Sequence, residues 1–339
     1  MLSCHLDLLH KVFLKNVNQF VIYKDHAFVY GDAHEIHILS LEVPEKPTLV
    51  RSISFQKGIV KVDIKKDILY ATENQRAIHI FDLSNVSDPK RVNSFILLGY
   101  NIYDMKIVGE NAIVAMNSEG IGLVDLNLPD QIQPVQKLKL ENRYVERLVS
   151  FGDKLLIVND SQNDLLLYEV SIINGFLKIE NKIEFPDFNP SRVFCGTSEV
   201  ILYGEFKKEK KNRNGILLLD KSLQPLGDPI RLERFPIVCF QLSDANFLFG
   251  FDYSYVLLDK TKRAIVPLFA QFKQRNSDQY VEIVSNSNSG LEPRDTSDLV
   301  SMNSLQNAYK QEGDFFFALH GSYFISFRIL ENSLFQDIV

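Results

Sequence analysis

The stretch Leu69-Tyr70-Ala71-Thr72-Glu73-Asn74-Gln75-Arg76-Ala77-Ile78-His79-Ile80-Phe81-Asp82-Leu83-Ser84-Asn85-Val86-Ser87-Asp88-Pro89 decides how this chain is read. Two runs of aliphatic, aromatic and β-branched residues, 68–72 and 77–83, flank a polar turn at 73–76. A loop of Ser, Asn, Asp and Pro follows, and these are residues that form turns through their own side chains or a fixed φ. Upstream, Ile59-Val60-Lys61-Val62-Asp63-Ile64 alternates at period two, and Lys65-Lys66-Asp67 is a turn. Downstream, 91–97 is a fourth strand. Four short strands joined by turns in about 40 residues predict one antiparallel sheet.

The unit recurs. Its third strand reads Ile36-His37-Ile38-Leu39-Ser40-Leu41, then Ile78-His79-Ile80-Phe81-Asp82-Leu83, Gly122-Leu123-Val124-Asp125-Leu126 and Leu166-Leu167-Tyr168-Glu169-Val170. Weaker copies are Leu217-Leu218-Leu219-Asp220, Val256-Leu257-Leu258-Asp259 and Phe324-Ile325-Ser326-Phe327-Arg328-Ile329. The marker positions are 40, 82, 125, 169, 220, 259 and 328, so the spacings are 42, 43, 44, 51, 39 and 69. Four strands in a period of roughly 40–45 residues are the mark of a β-propeller blade. The expected fold is all-β: a seven-bladed β-propeller of four-stranded antiparallel blades, one domain over 1–339. Asp82 and Asp125 are expected to accept backbone N–H groups of the turn that follows, because one copy per blade suits a turn and not catalysis.

Residues 69–89 resemble the LVIVD-repeat family of β-propellers. That repeat has a Tyr-Val-Ala strand, an aliphatic run ending in Asp and a Ser-Asn-Pro-like loop. The copy at 121–134 is similar, Ser40 departs from the pattern, and beyond about residue 186 only the alternating core strands remain. The resemblance implies a surface or exported interaction protein. The absence of Trp and of a Gly-His…Trp-Asp pattern sets WD40 aside.

The termini carry the closure of the fold. Leu2, Leu6, Leu9 and Phe13 fit one face of a helix, whereas 10–14 fits a strand that pairs with the last blade. The strand reading is preferred, because pairing the N- and C-terminal strands removes an exposed edge. Two segments break the period. Residues 205–215 form a basic hairpin loop with Lys207, Lys208, Lys210, Lys211 and Arg213 as candidate partner contacts. Residues 274–312 form a polar insertion rich in Ser, Asn, Asp and Gln, in which Leu299, Val300, Met302, Leu305 and Tyr309 fit one face of a short helix.

Composition narrows the function. The 339 residues carry 37 basic and 43 acidic side chains, a net charge of −6, so nucleic acid is not an expected partner. The longest apolar run, 264–270, is far shorter than the roughly 20 residues of a membrane span. No basic, apolar leader opens the chain, which points to the cytoplasm or to export without a cleavable signal. Cys4, Cys195 and Cys239 make no paired motif, and Cys195 and Cys239, each beside Phe in an apolar run, read as reduced core thiols.

Chemistry is sparse. The seven histidines show no metal-binding spacing, and no nucleophile elbow, phosphate loop or dinucleotide fingerprint is present. His37 and His79 share a register, which blade packing explains better than ligation. Lys61, Asp104, Glu146 and Arg192, with Arg147 beside Glu146, start the innermost strands and are candidates for a binding site at the channel mouth. The sequence therefore predicts a monomeric, non-catalytic protein-interaction scaffold without cofactor or metal. The alternative is a hydrolase or lactonase-like propeller with a metal or acid–base site at that mouth.

Overall fold

The computed structural model describes residues 3–332, except 75–76, 97–99, 128–133, 141–143, 152–153, 161–165, 186, 196–198, 208–213, 233–237, 242–245, 251–254, 260–263, 276–277, 286–309, 313–314 and 321–322. Every regular element among them is a strand. No helix among them is long and apolar enough to cross a membrane. The chain forms two compact units: Ser54–Glu233, and Met1–Ile53 together with Arg234–Val339.

The Ser54–Glu233 unit is four antiparallel four-stranded sheets. The first contains β6 (Ile59–Lys65), β7 (Ile68–Glu73), β8 (Ala77–Asp82) and β9 (Lys90–Ile96). The second contains β10 (Asp104–Val108), β11 (Asn111–Ala115), β12 (Ile121–Asp125) and β13 (Gln136–Leu138). The third runs from β14 (Tyr144–Phe151) through β15 (Lys154–Asp160) and β16 (Leu166–Ile173) to β17 (Phe176–Ile183). The fourth runs from β18 (Phe188–Cys195) through β19 (Val200–Phe206) and β20 (Asn214–Leu219) to β21 (Ile230–Arg231). Successive sheets approach through their first strands, β6 on β10, β10 on β14 and β14 on β18. The strand limits lie within about three residues of the sequence reading wherever the repeat is regular.

Period-two burial builds the cores between sheets. Ile78, Ile80 and Phe95 of the first sheet pack with Ile102, Met105, Ala112 and Val114 of the second. Ile113, Ile121 and Leu123 pack with Val145, Leu148 and Ile157 of the third. Leu156 and Leu167 pack with Val193, Leu202 and Leu217 of the fourth. Carboxylates also tie first strands together. Ile107 N–H donates to Asp63 Oδ2 at 3.3 Å, and Leu148 N–H donates to Asp104 Oδ2 at 2.9 Å.

The third-strand acids act as read. Ser84 N–H donates to Asp82 at 2.7 Å, Asn127 N–H to Asp125 at 2.9 Å, and both Ser222 and Gln224 N–H to Asp220. Glu169 differs. It lies inside β16, binds Lys154 at 2.8 Å and accepts from Asn181, so it bridges neighbouring strands instead of closing a turn. The turn at 117–120 closes on Gly120 (φ +84°), where a Cβ would collide with the Leu138 carbonyl oxygen.

In the other unit, β2 (Gln19–Tyr23), β3 (His26–Tyr30), β4 (Glu35–Ser40) and β5 (Thr48–Ser54) form a fifth four-stranded sheet. A nine-stranded sheet follows the order β22-β23-β24-β25-β26-β1-β29-β28-β27. Its members are β22 (Val238–Gln241), β23 (Asn246–Gly250), β24 (Tyr255–Asp259), β25 (Ala264–Arg275), β26 (Asp278–Ser285), β27 (Lys310–Glu312), β28 (Phe315–His320), β29 (Tyr323–Asn332) and β1 (Ser3–Phe13). The N-terminal segment is thus a strand and not a helix, antiparallel to β29 from Cys4 to Phe13. The polar insertion at 274–312 is partly described. Its first part, to residue 285, is strand, because β25 and β26 pair as a hairpin and β26 adds to β1. The expected helix falls within 286–309 and so lies outside the described residues. The fold is all-β, built largely from four-stranded antiparallel sheets, and compatible with a β-propeller.

Candidate functional site

Strand pairing fixes equivalent positions across the repeats. Lys61 faces Thr72, Asp104 faces Ala115, Arg147 faces Val158 and Arg192 faces Tyr203. The candidate channel-mouth row is therefore Lys61, Asp104, Arg147 and Arg192. Glu146 is not in it. It occupies a β-bulge between Val145 and Arg147, and the extra residue moves Arg147 into the register that spacing alone gives to Glu146. Asp104 is already engaged: Met105 N–H donates to Oδ1 at 2.8 Å, Lys61 Nζ lies 3.6 Å from Oδ1, and Oδ2 accepts Leu148 N–H. Among the described residues its partners are these N–H groups and Lys61, so the arrangement is a tie between strands. Arg147 is exposed. The side chains of Glu146 and Arg192 lie outside the described residues.

The second cluster of sequence candidates divides similarly. Lys207 is exposed at the end of β19, and β19 and β20 form the expected hairpin. Lys208, Lys210, Lys211 and Arg213 lie outside the described residues. Among the described residues, no three His, Cys, Asp or Glu side chains are grouped to hold a metal ion. Cys195 is half-buried against the core, and burial pushes its thiol up to about 12, which keeps it protonated.

Among the described residues, a cleft of about 500 Å³ lies on the β6–β9 sheet, lined by Phe55, Gln56, Glu73, His79, Arg91 and Ser94, with Ser54, Ala77 and Ile96 completing the wall. Glu73 ends β7 and is only 2 % exposed. The sequence places it in a polar turn, whereas the structure turns its carboxylate inward. Gln56 and Lys57 N–H donate to its Oε1 at 2.6 and 2.7 Å, which fixes the loop entering β6. Its Oε2 lies 3.1 Å from His79 Nε2. Burial raises the Glu73 pKa, but bonds from His79, Lys57 and Gln56, together with the His79 charge, outweigh it and hold the carboxyl below its usual range.

The ionised carboxylate only accepts, so His79 Nε2 carries a proton. Its Nδ1 lies 2.8 Å from the Ser94 hydroxyl, which donates to a neutral ring and accepts from a protonated one. Glu73, His79 and Ser94 form one chain of hydrogen bonds. His37 repeats part of it, with Ser52 Oγ 2.8 Å from Nδ1. The His–Ser pair is therefore a packing feature of two four-stranded sheets, in line with their shared register. Glu73 is not repeated: pairing puts Gly31, Met116, Asn159 and Gly204 at its position elsewhere.

Arg91 completes the site. Residues 91 and 94 point to opposite faces of a regular strand. Here Phe81 pairs with Arg91 and Ile80 with Asn93, so Val92 is a bulge that returns Arg91 to the face of Ser94 and Ile96. Its guanidinium lies 5.2 Å from the Phe81 ring centroid and 5.4 Å from that of Phe55. Phe55 also meets the His79 ring at 5.3 Å. Arg91 is exposed. Sequence reasoning missed Glu73, Arg91 and Ser94. The readable signal was a Glu at a position otherwise held by Gly, Met or Asn in the aligned repeats.

No family model and no curated protein matches the chain. Among solved structures it is similar to the computationally designed Ika8 protein, with a TM-score of 0.62 and 9% identity over 96% of this chain and 100% of that one. At that identity the likeness concerns the fold alone.

Proposed function

We propose that the chain is a seven-bladed, LVIVD-like β-propeller that acts as a non-catalytic protein-interaction scaffold. Seven strand sets support the count: five four-stranded sheets, β22–β25, and β27–β29 completed by β1. In this reading β1 closes the ring and β26 is the one supernumerary strand. The observation that carries the binding function is Arg91, an exposed guanidinium set over two Phe rings in a cleft that departs from the repeat. Rigid aromatic surface with a charged, planar donor is the chemistry of recognition surfaces. The test is partner capture by the immobilised full chain, with alanine substitutions in exposed inter-strand loops mapping the contact. Stoichiometric capture lost in one group of variants supports it. Capture insensitive to every substitution, together with substrate turnover by the same preparation, overturns it.

One observation favours a second reading, a serine hydrolase. The Glu73–His79–Ser94 chain has the connectivity that activates a hydroxyl, and Ser94 faces the cleft. Labelling by a fluorophosphonate that disappears in Ser94→Ala supports it, and absence of labelling in the folded protein removes it.

A further inference from the structure

We infer that the cleft on the β6–β9 sheet seats an extended acidic peptide of a protein partner, with one Asp or Glu carboxylate paired to Arg91 and an adjacent large apolar side chain packed on Phe55 and Ile96. This rests on the scaffold reading above and gives its partner a chemistry.

Four observations carry it. First, the bulge at Val92 brings Arg91 into the cleft, and its guanidinium carbon lies over the Phe55 and Phe81 rings. Held there, the guanidinium offers a planar fork of N–H donors, and such a fork matches a carboxylate. Second, no carboxylate of the described residues pairs with Arg91, although Lys90 beside it binds Asp88 at 2.5 Å. Third, the charge balance selects a single negative charge. Glu73 contributes one anion to the cleft and Arg91 one cation, so a dianion such as a phosphoryl group meets repulsion that a carboxylate largely avoids. Fourth, the cleft also presents apolar surface: Phe55, Ala77 and Ile96, the last 42 % exposed, with Val92 58 % exposed at the bulge. β9 is the last strand of its sheet, so its outer edge is open to an extended segment among the described residues.

The test pans a random 12-residue display library on the full chain. A labelled selected peptide is then measured by fluorescence anisotropy against wild type, Arg91→Ala and Phe55→Ala. The expected enrichment is Asp or Glu beside Phe, Tyr, Leu or Ile. Arg91→Ala weakens binding by at least about 10-fold, in line with a charge-assisted bidentate pair. The Gln or Asn version of the peptide loses the same factor on wild type and nothing further on Arg91→Ala. Phe55→Ala weakens binding while the preference for acid over amide persists. Thermal unfolding verifies that both variants are folded. Selected peptides without acid enrichment, an amide peptide that binds equally, an Arg91→Ala variant that binds normally, or a phosphoserine peptide that binds 10-fold tighter than its Glu counterpart each overturn the inference. Partner capture run in parallel separates the two levels: capture that persists in Arg91→Ala leaves the scaffold standing and removes the cleft from it.

Discussion

Truncating Glu73 tests the central feature of the candidate site. Glu73→Ala removes the acceptor of three donors: Gln56 N–H, Lys57 N–H and His79 Nε2–H. Gln56 and Lys57 are exposed residues, so water can reach their N–H groups and each loss costs about 1 kcal/mol. The His79 donor is buried and its loss costs about 1–2 kcal/mol more. The expected destabilisation is about 3–4 kcal/mol. Glu73→Gln should cost only about 1 kcal/mol. Its amide oxygen still accepts both N–H groups, and its NH₂ faces His79 Nε2, which must switch tautomer and donate through Nδ1 to Ser94. The folded-state carboxyl titrates below its ordinary 4.5, so its contribution is present above that pH and is lost as pH falls through the depressed folded value. Glu73→Gln should therefore flatten the stability profile on the acid side of about pH 4.5. Urea unfolding at pH 7 and at lower pH, read as midpoint shifts at a common slope, gives both quantities. Glu73→Ala within 0.5 kcal/mol of wild type would refute the assignment of Glu73 as the anchor of the loop.

Three further outcomes are expected. Asp104→Ala should lower stability by about 1–3 kcal/mol in the same urea assay, because Leu148 N–H loses its acceptor in the neighbouring sheet; a loss of turnover with unchanged stability would instead restore the channel-mouth catalytic reading. Gly120→Ala should destabilise by about 1 kcal/mol or more, because its φ is +84° and the new Cβ meets the Leu138 carbonyl; a thermal midpoint equal to wild type would contradict this. Cys195 should resist iodoacetamide at pH 8 in the native protein and react after unfolding, since burial holds its thiol near 12; peptide mass spectrometry reads the difference directly.

The regular part of this fold was legible because its determinants are local. Alternating side chains and turn residues set the limits of β6 to β9, and the short Asp side chains at 82, 125 and 220 close their own turns whatever packs around them. The site was less legible because strand partners decide it. Glu146 seemed to share a row with Asp104, but a bulge visible only in the pairing of β14 with β15 put Arg147 there. Arg91 and Ser94 have the wrong spacing for one face, and the bulge at Val92, set by the pairing with Ile80 and Phe81, corrects it.

Glu73 shows the division most clearly. As a sequence feature it is the first residue of a polar turn beside Asn74 and belongs with solvent. In the folded chain, two backbone N–H groups of the preceding loop and the His79 ring compensate the cost of burying its charge. The sequence alone determined the period, the strand class and the turn chemistry, because each depends on neighbours a few residues away. Tertiary structure decided the bulges, the sharing of β1 between β29 and β26, and which polar side chains face inward, because each depends on which distant strand supplies the hydrogen bonds.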